Sequence, residues 1–251
     1  MNRNDYFLTV VVPIYNVENY LAHCLESLKR QTYKDYKILL IDDGSTDNSS
    51  KIAKDFADSN PNVEYVRQEN KGLGGARNTG LNLVATKYAA FLDSDDLLAP
   101  KTVELIRAKL DKYGEDVDII FTIPVIYDMV VKAYQEWYDY AYLKRLFKEH
   151  GPEVVNPSQL PELMSIEASF WRGVYRTEFL KKEAQIRFAE HLKWEDVPTH
   201  FELIHNAKKA VMLEEPTFIY RTNQASQITS GTGKGRLDLE GILNEVLPLF
   251  K

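Results

Sequence analysis

Two apolar runs of strand length, residues 37–41 and 88–92, each stop on a tight cluster of acids. The first ends in Asp42-Asp43-Gly44-Ser45-Thr46-Asp47 and the second in Asp93-Ser94-Asp95-Asp96. A run without polar alternation reads as a strand buried on both faces, so each cluster must sit where a strand leaves the core. The rest of the first hundred residues supplies the frame. Residues 8–14 form another continuous β-branched run. After it Val17, Tyr20, Leu21, Cys24, Leu25 and Leu28 mark one face of an amphipathic helix, with Cys24 on the buried side. Ile52, Ala53, Phe56 and Ala57 mark a second helix, and residues 63–66 a short strand. A glycine-rich turn over residues 70–78 then opens a helix to about residue 84.

Strand and helix alternating at this spacing predict right-handed βαβ units and a mostly parallel α/β sheet flanked by helices. Such sheets bind ligands beyond the carboxyl ends of their strands, which is where both acidic clusters fall. The second half is less regular. Residues 100–113 read as a helix and 117–123 as a strand. Residues 127–150 carry aromatic and charged side chains at helical period, without clear caps. Residues 170–175 read as a strand, 194–206 as a helix, and 210–213 and 217–220 as two short strands. Residues 231–235 (GTGKG) form a break before a last amphipathic segment carrying Leu239, Ile242, Leu243, Val246 and Leu247.

Charge narrows the function. Lys and Arg total 31 against 37 Asp and Glu, a net −6, without the basic field of a nucleic-acid binder. Cys24, the single cysteine, allows no intrachain disulfide and points to a reducing, cytoplasmic compartment. No stretch approaches the roughly 18 consecutive apolar residues of a membrane span, which leaves peripheral association with the inner face of a membrane open.

Three acids within four residues repel one another and tend to hold a proton. A divalent cation resolves the conflict, and hard oxygen ligands select Mg2+ or Mn2+. An ion shared between a carboxylate and two phosphates would also stabilise a departing diphosphate. The competing reading is a solvated turn capping the next helix. The second cluster, Asp42-Asp43 with Asp47, favours the ligand reading, because two such clusters on one sheet edge are hard to explain as capping.

The segments VVPIYNVENYLAHCLESLKRQTY, KILLIDDGSTDNS, ENKGLGGARNTGLNLV and YAAFLDSDD resemble, in order and spacing, the family-2 inverting glycosyltransferases of GT-A fold, across roughly residues 7–98. The resemblance implies a Rossmann-like, mostly parallel sheet with a smaller acceptor-side α+β region. It implies a single domain over residues 1–230, with 1–98 the nucleotide-sugar half and 99–230 the acceptor half. It also implies transfer of a sugar from a nucleotide-diphosphate donor, UDP foremost, to a hydroxyl of a cell-surface glycan, lipid-linked or protein-linked acceptor. Mn2+ or Mg2+ would serve as cofactor. Residues 231–251 would dock on a membrane, a partner or a further domain of a longer chain.

Residue by residue, the resemblance puts Pro13, Tyr15 and Asn16 on a wall of the nucleotide pocket. It puts Asp43 on the base or ribose, while Asp42 braces the loop. Arg77, at a helix N-terminus that favours negative charge, lies near the donor or pairs with an acid. Asp95 corresponds to the metal ligand, Asp93 to the position touching ribose or metal-bound water, Ser94 stands between them at the donor, and Asp96 is a third metal-side acid. Simple strand-end packing is the other reading of Tyr15.

Inversion by direct displacement needs a carboxylate to take the acceptor's proton. Pro198 suits the first turn of a helix, which places Glu195 and Asp196 at its N-terminus. Asp196 then reads either as an N-cap or, by resemblance, as the base, with Glu195 orienting it or the acceptor. Trp171 and Trp194 read as sugar platforms or as core. His191, His200 and His205 lack metal spacing and read as surface or packing residues. The late histidine found in some relatives is missing from 220–230, where Arg221, Ser226 or Thr229 would meet the diphosphate instead. Lys234 and Arg236 belong to a lid or a plain linker.

Two other functions compete. A sugar nucleotidyltransferase would place a glycine-rich basic signature after its first strand, where this chain has Tyr15-Asn16-Val17-Glu18. A catalytically silent nucleotide-sugar binder or scaffold would lack the ability to hydrolyse donor.

Overall fold

Residues 8–14 are buried at every position, which is why their sequence shows no polar alternation. In this computed structural model, which describes residues 6–150 and 154–223, they form strand β1 (Leu8–Ile14). The first half continues with helix α1 (Glu18–Lys29), β2 (Tyr36–Asp42), α2 (Ser49–Asp58), β3 (Val63–Arg67), α3 (Gly72–Leu83) and β4 (Tyr88–Phe91). Strands β3, β2, β1 and β4 lie side by side and parallel.

Alternate residues of β1 serve two cores. Val10, Val12 and Ile14 face Leu21, Cys24, Leu25 and Leu28 of α1 and Ala53 of α2. Val11 faces the other way, with Ala76 and Leu81 of α3. Helix α3 lies so close to the sheet that a Cβ at Gly80 would stand 2.3 Å from Val11 Cγ1. The loops after β1 and β2 cap each other's helices. Asp47 accepts from the Glu18 N–H at 3.0 Å, and the Glu18 carboxylate accepts from the Asn48 N–H at 2.9 Å. Asp47 therefore caps helix N-termini, so capping accounts for this member of the second acidic cluster.

The second half extends the same sheet. Its elements are β5 (Leu97–Leu98), α4 (Thr102–Tyr113), β6 (Ile119–Asp128), β7 (Ala133–Glu136), α5 (Tyr140–His150), β8 (Val154–Val155), β9 (Gly173–Arg176), α6 (Asp196–Asn206) and β10 (Ala210–Thr222). The sheet order is β3-β2-β1-β4-β9-β6-β10-β5, with β7 on β6 and β8 on β10. β9 runs antiparallel between β4 and β6. It joins the parallel first half to a mixed second half, the GT-A-like arrangement expected.

Several boundaries differ from the sequence reading. Residues 127–150 are not one helix: β6 runs on to Asp128, the chain reverses, and only Tyr140–His150 is helical. The Asp128 carboxylate makes the reversal by accepting from the Val130 and Val131 N–H groups at 2.8 and 3.0 Å, a side-chain turn that outcompetes helix. Residues 170–175 split into a 3-10 turn and β9. Trp194 has φ 64°, which keeps it out of α6. The two short strands after residue 209 are one strand, β10, whose register with β6 slips around Pro216, a residue with no N–H for the ladder. Among the described residues no helix is long and apolar enough to cross a membrane.

Candidate active site

A cavity of about 700 Å³ opens at the carboxyl ends of β1, β2 and β4 and is closed from the other side by second-half segments. Pro13 near the end of β1 borders it with Tyr15 and Asn16 just beyond the strand, Asp43 follows β2, and Asp93, Ser94 and Asp95 follow β4. Arg77 enters from α3, and Glu195 and Asp196 from the start of α6. Residues far apart in sequence thus meet because a parallel sheet delivers all its carboxyl ends to one edge.

The β2 acids divide their work. Asp42 is fully buried and turned into the loop, where it accepts from Ser45 N at 2.9 Å, Tyr65 Oη at 2.6 Å and Arg67 Nη1 at 2.8 Å. Burial works against its ionisation, but the Ser50 and Tyr65 hydroxyls outweigh it and hold the carboxyl below its usual range. Asp43 borders the cavity, with Oδ1 fixed by Gln68 Nε2 at 2.6 Å and the Lys71 N–H at 2.9 Å. Asn16 ties the two loops together, accepting from the Thr46 N–H at 2.8 Å.

Arg77 is 1% exposed and joins the two ends of the site. Its guanidinium pairs with Asp93 Oδ1 at 2.9 Å and with Glu195 Oε1, which is the acid-pairing reading of this position. Glu195 is the N-cap residue of α6 yet makes no capping bond, because its carboxylate is committed to Arg77. Burial raises its pKa against the pull of Arg77. Asp196 is pushed up to about 7 by burial and by the Glu195 charge. A carboxyl held there exchanges its proton near neutral pH.

At β4, burial and the neighbouring Asp93 charge push Asp95 up to about 6. Asp96 departs from its expected place. It is not part of the cavity wall, and its Oδ1 accepts from the Arg221 N–H at 2.8 Å. Arg221 likewise is not part of the cavity wall: it is 3% exposed, donates from Nε to the Asp95 carbonyl and lies over the Tyr20 ring. It braces the acidic loop from beneath. Ser226, Thr229, Lys234, Arg236 and the segment 231–251 lie outside the described residues. Among the described residues no three acid, histidine or cysteine side chains converge as a ready-made metal cage. Asp93 and Asp95, which share the cavity wall, are the carboxylates that would hold an Mg2+ or Mn2+ ion there.

The glycine-rich turn borders the cavity at Asn70, Gly72 and Leu73 and also packs against a later segment. A Cβ at Gly74 would stand 2.1 Å from the Ala189 carbonyl oxygen, so this glycine makes room for the strap that leads to residue 194. That strap adds His191, Leu192, Lys193 and Trp194 to the cavity, with His191 and Trp194 both at positive φ. Sequence reading missed Trp137, Glu167, Ser169 and Tyr220, which also border the cavity. Nothing local in the sequence marks them. Trp171 is 7% exposed and belongs to both the core and the cavity wall, while Trp194 is 47% exposed. His200 is buried as a packing residue.

Residues 9–181 match the sequence profile of Glycosyl transferase family 2. The chain belongs to that family. Glycosyltransferase GlyA of Streptococcus pneumoniae serotype 4 is 31% identical over 97% of this chain, which spans only 34% of GlyA. S. aureus TarS 1–349, solved in complex with UDP-GlcNAc, matches the fold at TM-score 0.75 with 23% identity, covering 96% of this chain and 66% of that one. Mannosyltransferase PcManGT from Pyrobaculum calidifontis, solved with GDP-Man and Mn2+, matches at TM-score 0.65 with 15% identity, covering 88% and 58%. The family-2 profile runs from β1 past β9 and ends before the Glu195-Asp196 pair.

Proposed function

We propose that this chain transfers a sugar, with inversion, from a nucleotide-diphosphate donor, UDP-sugar foremost, to a hydroxyl of a glycan, lipid-linked or protein-linked acceptor. The observation that carries the reading is one cavity bordered by Asp43, by Asp93 and Asp95, and by Asp196. Read this way, the cavity offers a nucleotide end, a diphosphate end and a base along a single path. Membership of family 2 and the fold shared with TarS, which was solved with UDP-GlcNAc, support it.

In this reading Asp43 accepts from the base or ribose, with Pro13, Tyr15 and Asn16 as the pocket wall. Asp196 accepts the proton of the acceptor hydroxyl as its oxygen bonds to the anomeric carbon. The bond from that carbon to the diphosphate oxygen breaks on the opposite face, and the nucleoside diphosphate leaves with the bonding pair. Arg77 holds Glu195 beside the base and Asp93 beside the donor, so the two ends keep a fixed spacing. Asp95 with Asp93 would hold Mn2+ or Mg2+, which would neutralise the leaving group's charge.

The test is calorimetric titration of UDP, GDP, dTDP and ADP with and without Mn2+, on the wild-type chain and Asp95→Ala. Tight UDP binding that requires Mn2+ and disappears in the variant is the expected result. A folded protein that binds none of the four overturns the donor site.

A further inference from the structure

The cavity wall built by the second half has a chemistry of its own. Trp171 stacks on Tyr220 with ring centroids 5.5 Å apart and planes 18° from parallel. Trp137 meets both rings edge-on, at 5.4 and 5.5 Å. These three aromatic residues border the cavity together with one carboxylate, Glu167. The main chain of Glu167 is fixed at both ends. Its N–H donates to Asp139 Oδ2 at 2.8 Å, and its carbonyl accepts from Arg172 Nη2 at 3.0 Å. Asp139 and Arg172 form a two-point ion pair at 2.7 and 2.8 Å, in which Arg172 is buried. A buried bidentate pair thus sets the orientation of one cavity residue. The Trp137 indole N–H approaches the Glu167 carboxylate without closing a hydrogen bond of ordinary geometry.

A carboxylate here repels phosphate. The donor-end acids Asp93 and Asp95 have an ion to offset them in the transfer reading, whereas the base end adds Glu195 and Asp196 to the charge of Glu167, with Arg77 already paired to Glu195. Trp137 and Trp171 keep 5% and 7% of their surface exposed, and with the half-buried Tyr220 they give the cavity a small apolar patch beside one strong hydrogen-bond acceptor, suited to the C–H face of a pyranose and a hydroxyl at its edge. We propose that Glu167, with Trp137, Trp171 and Tyr220, forms a subsite for an uncharged pyranose, the terminal sugar of the acceptor. Its apolar face lies on the rings and one of its hydroxyls donates to Glu167. This assignment rests on the transfer reading above and adds to it the charge class of the acceptor: a neutral glycoside, not a sugar phosphate.

The probes are methyl β-glucopyranoside, methyl β-galactopyranoside and glucose 6-phosphate. Each is followed by saturation-transfer NMR on the full chain, with and without UDP and Mn2+. A neutral glycoside is expected to receive saturation from aromatic protons, and glucose 6-phosphate to receive none. In Glu167→Ala the glycoside affinity is expected to fall about tenfold or more, the loss typical of a charged hydrogen bond. Glu167→Gln, which keeps an acceptor oxygen, is expected to fall less. UDP affinity stays at the wild-type value in both variants. Three results overturn the proposal: no glycoside binding by a protein that binds UDP, preference for glucose 6-phosphate, or loss of UDP affinity in the Glu167 variants with glycoside binding intact. Failure of the wild-type chain to bind UDP counts against the transfer reading alone, and the arm without UDP then still decides the subsite.

Discussion

In the proposed reaction Asp196 is the base and its neighbour Glu195 is not, and Arg77 makes the difference. Its guanidinium takes the Glu195 carboxylate and Asp93, leaving Asp196 to feel burial and a neighbouring charge. A base pushed up to about 7 is still protonated in part at neutral pH. Because only the ionised form accepts a proton, kcat/KM for transfer should rise with pH and level off above about 7. Asp196→Asn should lower transfer by about 10²–10⁴-fold, the usual range for a general base, while UDP affinity measured by calorimetry stays unchanged. An acid limb near the ordinary aspartate value of about 4 would show that burial does not tune this group. Retained transfer in the asparagine variant would assign the base elsewhere.

At the scale of elements, α3 depends on a contact that tolerates no side chain. Gly80→Ala puts a methyl 2.3 Å from Val11 Cγ1, between the helix and the central strand. Alanine gains about 1 kcal/mol in helix propensity over glycine, and overpacking of a buried contact costs about 1–3 kcal/mol. A net loss of stability is expected, read as a lower urea midpoint. A higher midpoint would mean that α3 stands further from β1 than described. Helix α3 was legible in the sequence, as were β1, β2 and β4. A strand buried on both faces must be apolar throughout, and a helix on one side of it must be amphipathic. The second half was less legible for reasons visible in single residues. Asp128 reverses the chain with its own carboxylate, Pro216 slips a register without ending the strand, and Trp194 takes a left-handed backbone. None of these leaves a periodic trace. The site divides the same way: Asp43, Asp93, Asp95 and Asp196 belong to recognisable motifs. Glu167 enters the cavity only because Asp139 and Arg172, 33 residues apart, hold its main chain.

Over the whole molecule, one sheet carries both the acidic loops and the segments that close the cavity, so the pH response of the fold bears on the site. Buried carboxylates with raised pKa values, Asp95, Asp96, Glu195 and Asp196, take up protons more readily folded than unfolded and favour the folded state as pH falls. His200 works in the opposite direction. It sits on α6, 7% exposed, and burial followed by the charge of Arg172 lowers its pKa from 6.5 to about 4; hydrogen bonds to Leu163 and Met164 and the Asp139 charge only partly oppose this. The unfolded chain therefore binds a proton on this imidazole between pH 6.5 and about 4 that the folded chain refuses. Its contribution to stability is complete above 6.5, falls as pH drops towards 4, and levels off below that. At 1.36 kcal/mol per pKa unit, the full excursion amounts to roughly 3 kcal/mol. Because the carboxylates respond with the other sign, the total pH profile does not isolate the imidazole, but a difference between two proteins does. The gap in unfolding free energy between wild type and His200→Leu, from urea denaturation at pH 7.5 and at 4.5, should shift in the variant's favour by about 2–3 kcal/mol at the lower pH. Equal gaps at the two pH values would show that His200 titrates alike in the folded and unfolded chain, which the packing of α6 against the segment 161–172 does not allow.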